Sequence, residues 1–204
     1  MSPRVGLNST TIREAATYIA DTQGFEAVTL ASLAQQLKVR PPSLYNHVDG
    51  LQGIRQLLSI HGLEQLEYTM SRAAIGRAGD EAVRAIGKAY VAFVRNHPGL
   101  YEATLHAPDP HHEKVQQISN DIVDLVIQVL QAYELSGNAA IHAARGLRSL
   151  LHGFASLEQK GGFGIPLDLN VSLEILINAF IAGIHTIKEN SDSERSTTVT
   201  EDNK

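Results

Sequence analysis

Arg40, Ser43, Tyr45, Asn46 and His47 place five hydrogen-bonding side chains within the eight residues RPPSLYNH. An arginine can bind guanine O6 and N7 together, and an asparagine can bind adenine N6 and N7, so Arg40 and Asn46 have the chemistry of direct base readout. Aromatic residues on a short helix ordinarily belong to a core. Here Arg40, Ser43 and Asn46 flank Tyr45 and His47, which argues for a solvent-facing side instead.

Two short elements must present that side. Thr29 suits the N-cap of the first, its hydroxyl accepting from an otherwise unpaired backbone N–H. Leu30, Leu33, Ala34 and Leu37 then recur at helical spacing. Lys38-Val39-Arg40 reads as the turn, with Val39 plugging it. Pro41 fits the first position of a second helix, where a missing N–H costs nothing, and Leu44 and Val48 are its apolar anchors. Two helices joined this way make a helix-turn-helix, whose second helix enters the DNA major groove. Upstream, Thr11-Ile12-Arg13-Glu14 has the spacing of a capping box. Ile12, Ala15, Ala16, Ile19 and Ala20 follow as one apolar stripe, and Gly24 ends that helix.

This run resembles the N-terminal domain of the TetR family of bacterial transcriptional regulators. Thr29-Leu30, Leu33-Ala34, Leu37, Val39 and Leu44-Tyr45-x-His47-Val48 carry the likeness. His97-Pro98-Gly99-Leu100-Tyr101, Leu150 to Glu158 and Gly161-Gly162-Phe163-Gly164 look like the C-terminal domain of one TetR subgroup. The resemblance implies a ligand-responsive regulator, usually a repressor, that is a homodimer on double-stranded operator DNA and answers to a small-molecule effector. It also implies phosphate contacts from Tyr45 and His47, base-facing roles for Arg40, Pro42, Ser43 and Asn46, and a place for Thr29 beside the DNA. Arg4, in the leader, is expected to enter the adjacent minor groove, as N-terminal arms do. Two positions depart from the family pattern: Leu51 stands where a basic residue usually holds a phosphate, and Arg40 where Ser or Thr is common. Phosphate anchoring is therefore expected of Arg40.

Other chemistries find less support. The alternative is a helical ligand- or metal-sensing module without operator function, which nine histidines, notably His106, His111 and His112, bring to mind, since neutral imidazole ligates zinc, nickel or copper. No HExxH pattern accompanies them, so no metal or cofactor is expected. Asp121 and Asp124 stand three apart, a spacing that solvated acids on an amphipathic helix also have. GxSxG, a cysteine nucleophile and a P-loop are all missing from the sequence, and no enzyme activity is expected.

The chain has 204 residues, 43% hydrophobic and 19% charged, with no cysteine. It lacks a signal-peptide pattern and shows no run that reads as a membrane span, so a soluble cytoplasmic protein is expected. Net charge is −5, but residues 1–62 carry five cations (Arg4, Arg13, Lys38, Arg40, Arg55) against four acids (Glu14, Asp21, Glu26, Asp49). The acidic excess thus lies away from the reader, and the thin positive balance predicts a shallow salt dependence.

Apolar residues fall at three-four spacing almost throughout, which predicts an all-α fold: a three-helix DNA-binding domain (1–50), a linker helix (51–74), a C-terminal helical bundle for ligand binding and dimerisation (75–189) and an unstructured tail (190–204). The last two helices, about 138–160 and 170–188, are apolar on more than one side. Ala139, Ala140, Ala143, Ala144, Gly146, Ala179, Ala182 and Gly183 would permit close approach, so a dimer interface of two helices from each chain is expected. An effector pocket is expected among Tyr90, Phe93, Tyr101, Leu105, Ile122, Leu125, His152 and Phe154, since small-molecule sites are mostly apolar with few polar groups.

Overall fold

The computed structural model describes the backbone of residues 7–201 and the side chains of residues 7–186. Eight α-helices make up its regular structure, with no strand among the described residues: α1 (Ser9–Gln23), α2 (Leu30–Leu37), α3 (Gly50–Ala74), α4 (Gly79–Asn96), α5 (Pro98–Leu105), α6 (Glu113–Leu130), α7 (Gly137–Gln159) and α8 (Leu169–Glu201). Three 3₁₀ segments supplement them, at Phe25–Ala27, Pro41–Asn46 and Gln131–Tyr133.

Helix α1 begins a turn earlier than expected. Asn8 rather than Thr11 is its cap: the Asn8 side chain accepts from Thr11 N at 2.9 Å, and Asn8 N donates to the Thr11 hydroxyl at 3.1 Å. Both residues can cap, and the upstream one adds three residues to the helix. Its buried stripe is Ile12, Ala15, Ala16, Ile19 and Ala20, as the periodicity requires. Helix α8 was expected to stop near Lys188 but continues to Glu201, because no glycine or proline follows Gly183 to end it. The side chains of the tail expected to be unstructured, 190–204, lie outside the described residues.

The chain divides into two compact units, and not in simple chain order: Met1–Tyr68 with Phe93–Asp121, and Thr69–Ala92 with Ile122–Lys204. In the first, Ile12, Ile19, Phe25, Leu33, Leu44, Ile54, Leu58 and Leu100 are fully buried. Helix α5, expected with the C-terminal bundle, packs here on α1. Gly99 permits it: a Cβ at that position would lie 1.9 Å from the Ala20 carbonyl oxygen, so only glycine lets the backbones approach this closely.

In the second unit, Ile86, Leu147, Leu151 and Ile177 form the core, with Gly87 leaving room for Ile177, whose Cδ1 would be 2.9 Å from an added Cβ. A polar cluster ties α8 to α4. Tyr133 donates to Asp80 at 2.7 Å, His185 Nε2 lies 3.1 Å from the same oxygen, and Arg84 pairs with Asp80 at 3.6 Å and donates to Asn178 at 2.8 Å. The Tyr133 hydrogen bond, then His185, hold the Asp80 carboxyl below its ordinary value, while burial and Asp80 push the Tyr133 phenol up.

The expectation that no run could span a membrane needs correction. Leu169–Thr186 is long and apolar enough to do so by length and composition, with only 22% of that stretch buried. The reason is that α8 is apolar on two sides. Leu173, Ile177, Ile181 and Ile184 are buried, whereas Val171 and Ile175 are 55% and 64% exposed, with Ala179 and Ala182 exposed beyond them.

Candidate nucleic-acid interface

Helix α2 is fixed at both ends by its own sequence. Thr29 accepts from Ser32 N at 3.0 Å, Thr29 N donates to the Ser32 hydroxyl at 2.9 Å, and that hydroxyl donates to the Ala27 carbonyl at 2.8 Å. The Thr29 hydroxyl is thus taken up by a capping box, and the residue's role here is to hold α2. At the other end Lys38 adopts a left-handed conformation (φ 55°), and Val39 N reaches back to the Ala34 carbonyl at 3.0 Å. A non-glycine residue in that region is uncommon. It reverses the chain and leaves the Lys38 side chain exposed.

Arg40 is extended, as a residue before proline tends to be. The reader segment that follows, Pro41–Asn46, is a 3₁₀ helix rather than the expected α-helix. Two consecutive prolines supply no N–H, so the first hydrogen bond open to the segment is Ser43 N to the Arg40 carbonyl, at 2.9 Å. The segment closes by His47 N and Val48 N on the Leu44 carbonyl, at 2.9 and 3.1 Å. Residues three apart eclipse in a 3₁₀ helix, so Pro42 lies under Tyr45 and Ser43 under Asn46. Leu44, with no exposed surface, pins the segment to α2, while Pro42, Tyr45, Asn46 and His47 face solvent and Ser43 is half-buried. Tyr45 is 60% exposed. Gly50, in the left-handed region at φ 58°, turns the chain into α3, and an added Cβ there would lie 3.9 Å from the Tyr45 ring.

The expected DNA-facing residues from Arg40 to His47 therefore share one short exposed segment. Arg4 lies outside the described residues. Two other cations of the first unit are withdrawn from this surface: Arg55 pairs with Glu26 at 2.7 Å and lies over the Phe25 ring at 5.0 Å, while Arg13 is half-buried with its Nε enclosed. Lys38 and Arg40 remain, exposed and without a partner among the described residues. From sequence, Lys38 reads only as part of the turn. A cation at a helix C-cap beside the reader was the available signal for it.

The residues expected to line an effector pocket are divided. Phe93, Tyr101 and Leu105 fall in the first unit, and Tyr90, Ile122, Leu125, His152 and Phe154 in the second. Tyr90, Phe93, Tyr101 and Phe154 are at most 5% exposed and Leu105 is 42% exposed. His152 Nδ1 lies 3.4 Å from the Ser156 hydroxyl, and Phe154 packs its ring against Phe163, centroids 5.2 Å apart. A groove of about 220 Å³ in the second unit is lined by Ala74, Arg77, Ala78, Gly79, Leu125, Gln128, Val129 and Ala132, so it includes Leu125 and none of the other seven. Among the described residues no three of His, Asp and Glu converge as a metal site would require. His106 instead stacks on Phe25, ring centroids 6.0 Å apart.

Comparison with known proteins places these features in context. Residues 83–180 match the family model described as tetracyclin repressor-like, C-terminal domain. The chain is 44% identical over 185 residues to the uncharacterized HTH-type transcriptional regulator YobS of Bacillus subtilis (strain 168), covering 90% of this chain and 96% of that protein. It is 36% identical over 159 residues to the uncharacterized HTH-type transcriptional regulator Rv0681 of Mycobacterium tuberculosis, covering 76% and 72%. In fold it is similar to the TetR family transcriptional regulator PfmR from Thermus thermophilus, with a TM-score of 0.64 at 17% identity over 84% of this chain and 94% of that one.

Proposed function

The chain belongs to the TetR family of transcriptional regulators, and from that premise we propose that it is a homodimeric, cytoplasmic repressor that leaves its operator when a small molecule binds. One observation carries the reading. Lys38 and Arg40 stand free beside a reader whose Tyr45, Asn46 and His47 face outward, with Ser43 half-buried and Leu44 fully sequestered. A segment so anchored presents hydrogen-bonding groups to a partner, and the partner that matches them is a DNA major groove. Residues 1–50 read DNA, 51–74 connect, and within 75–189 the residues outside 93–121, which fold with the reader, take the effector and dimerise.

Dimerisation accounts for the outward faces of the last two helices. On α7, Ala139, Ala143, Gly146, Leu150, Gly153 and Leu157 form a stripe along its whole length, each exposed or half-exposed. Val171, Ile175, Ala179 and Ala182 do the same on α8. A second copy would cover both stripes, and also Ile165 and Leu167 of the intervening loop, 74% and 69% exposed. Two readers are needed because half-sites lie about one helical turn apart and a single reader contacts too few bases. For the effector, Tyr90, Ile122, Leu125, His152 and Phe154 offer apolar surface with one polar group. The groove beside Leu125 is smaller than the roughly 300–1,000 Å³ of typical ligand sites, so an effector must open it. An effector releases DNA only by favouring a conformation in which the reader spacing no longer fits.

A mobility-shift assay on the region upstream of the chain's own gene tests the reading. A retarded complex with two protomers per duplex is expected, and failure to bind that region or any duplex selected from a random pool would refute it.

A further inference from the structure

Helix α5 opens His97-Pro98-Gly99-Leu100, and its N-cap residue, His97, makes no side-chain capping bond. Pro98 has no N–H, so the amide at the third position, Leu100, needs an acceptor from elsewhere. It donates to Asp21 Oδ1 at 2.8 Å, from a residue 79 positions away on α1. His97 Nδ1 lies 2.8 Å from Asp21 Oδ2 and, facing a carboxylate, is the donor there. Asp21 thus does for α5 what a neighbouring Asp or Ser would ordinarily do.

Its position on α1 makes this assignment pointed. Asp21 stands two residues from the end of α1, with no basic residue in that last turn. A negative charge at a helix C-terminus opposes the helix dipole, whereas at an N-terminus it is favoured. Asp21 is misplaced for its own helix and well placed for α5. Beside it the Gly99 backbone meets the Ala20 carbonyl without room for a Cβ. Further along, Asp109 N donates to Gln56 Oε1 of α3 at 2.9 Å, and His106 stacks on Phe25. The segment 97–109 is therefore fastened to α1, to Phe25 and to α3.

We propose that Asp21 is a positioning residue for DNA reading: by capping α5 in trans it binds α5 and the reader domain into one body. This rests on the regulator reading above. Displacing α5 must then either break the Asp21 bonds or carry α1 with it. Asp21 touches no DNA in this account and acts only through α5.

The test compares full-length Asp21→Ala and Asp21→Asn with the unmodified protein, by amide exchange at Leu100 and by fluorescence anisotropy on the upstream duplex. Asp21→Ala should lose protection at Leu100 and bind the duplex about tenfold more weakly, the scale of a lost charged cap, with an unchanged dimer. Asp21→Asn retains a carbonyl oxygen for the Leu100 amide and should recover both protection and most of the affinity. Should Asp21→Ala not fold, Asp21→Leu, of similar shape but with no acceptor for the Leu100 amide, takes its place in the same comparison. Unchanged affinity in a folded Asp21→Ala whose Leu100 amide is unprotected overturns the proposal. So does an asparagine variant that keeps the Leu100 bond yet binds as weakly as alanine. An unmodified protein that binds no duplex defeats the regulator reading, and this proposal with it, whereas the two outcomes before it defeat this proposal alone.

Discussion

Salt dependence of operator binding is a number that the reader's geometry supplies. Each phosphate neutralised contributes about −0.9 to the slope of log affinity against log salt. Lys38 and Arg40 are the unpaired cations at the turn, because Arg55 is held by Glu26 and Phe25 and Arg13 is half-buried. A dimer then brings four such charges to the duplex, for a slope of about −3.6, or about −5.4 if Arg4 of each leader engages as well. Between 50 and 200 mM KCl the four-charge dimer should lose affinity by roughly 150-fold. Lys38→Ala removes one contact per half-site, so its slope should fall to about −1.8 and its loss over the same range to roughly 12-fold, equally for every duplex tested. Arg40→Ala separates two roles. As a phosphate anchor it should copy Lys38→Ala, whereas as a base reader it should erase preference at one base pair, worth about 1–3 kcal/mol. Fluorescence anisotropy titrations over a KCl series measure all of this. A slope unaltered in both variants, or a wild-type slope near about −8, would mean that the phosphate-binding charges lie elsewhere and that the reasoning from unpaired cations is wrong.

Tyr45→Ala or His47→Ala should weaken operator binding while leaving the melting temperature and sedimentation coefficient unchanged, because both side chains are exposed. Ala143→Asp or Ala179→Asp should yield monomers by sedimentation velocity, since an unpaired buried charge costs several kcal/mol, and operator binding should go with the dimer. Gly99→Ala should destabilise the fold by at least the roughly 1–3 kcal/mol of ordinary overpacking, because the clash is with backbone; an unchanged denaturation midpoint would mean that α5 does not sit on Ala20. Burial, with the Arg13 charge adding to it, holds His61 below its ordinary value of 6.5. The unfolded chain therefore binds the proton more readily, so the stability His61 contributes should fall as pH drops below about 6.5, and His61→Gln should flatten that part of the denaturation profile.

How far the sequence disclosed the fold depends on which physical signal was in play. The stripe of α1 and the Thr29 cap were legible because period and capping chemistry are local. The start of α1 was not, since Asn8 and Thr11 can both cap and the choice rests on which begins the longer helix. The end of α8 was misjudged for a related reason: loss of apolar anchors removes a cause for burial, but only glycine or proline forces the backbone to stop. The placement of α5 could not be read at all. Its glycine announces a close approach, yet nothing local says that the surface approached is α1, some eighty residues earlier.

The candidate site divides along the same line. Polar groups flanking an aromatic pair told that Tyr45 and His47 would be exposed, because a polar side chain without a partner is costly to bury. They did not tell that the reader would be a 3₁₀ helix. Pro41 and Pro42 do not account for it, since amides missing from a first turn would be unpaired in an α-helix as well. For the effector the same reasoning loses its power. Tyr90, Phe93, Tyr101 and Phe154 are aromatic whether they line a pocket or fill a core, and each is almost fully enclosed. Composition separates inside from outside; it does not separate packed interior from a cavity that opens when a ligand arrives. The two-sided apolarity of α8 lies between these cases. A helix with buried Leu173, Ile177 and Ile181 on one side and exposed Val171 and Ile175 on the other needs a second apolar surface. A monomer leaves that need unmet, and a lipid bilayer would have to accept a helix whose neighbours Glu174 and Asn178 are tied to Lys88 and Arg84. In the proposed dimer a second copy of the chain would meet it with the same small residues.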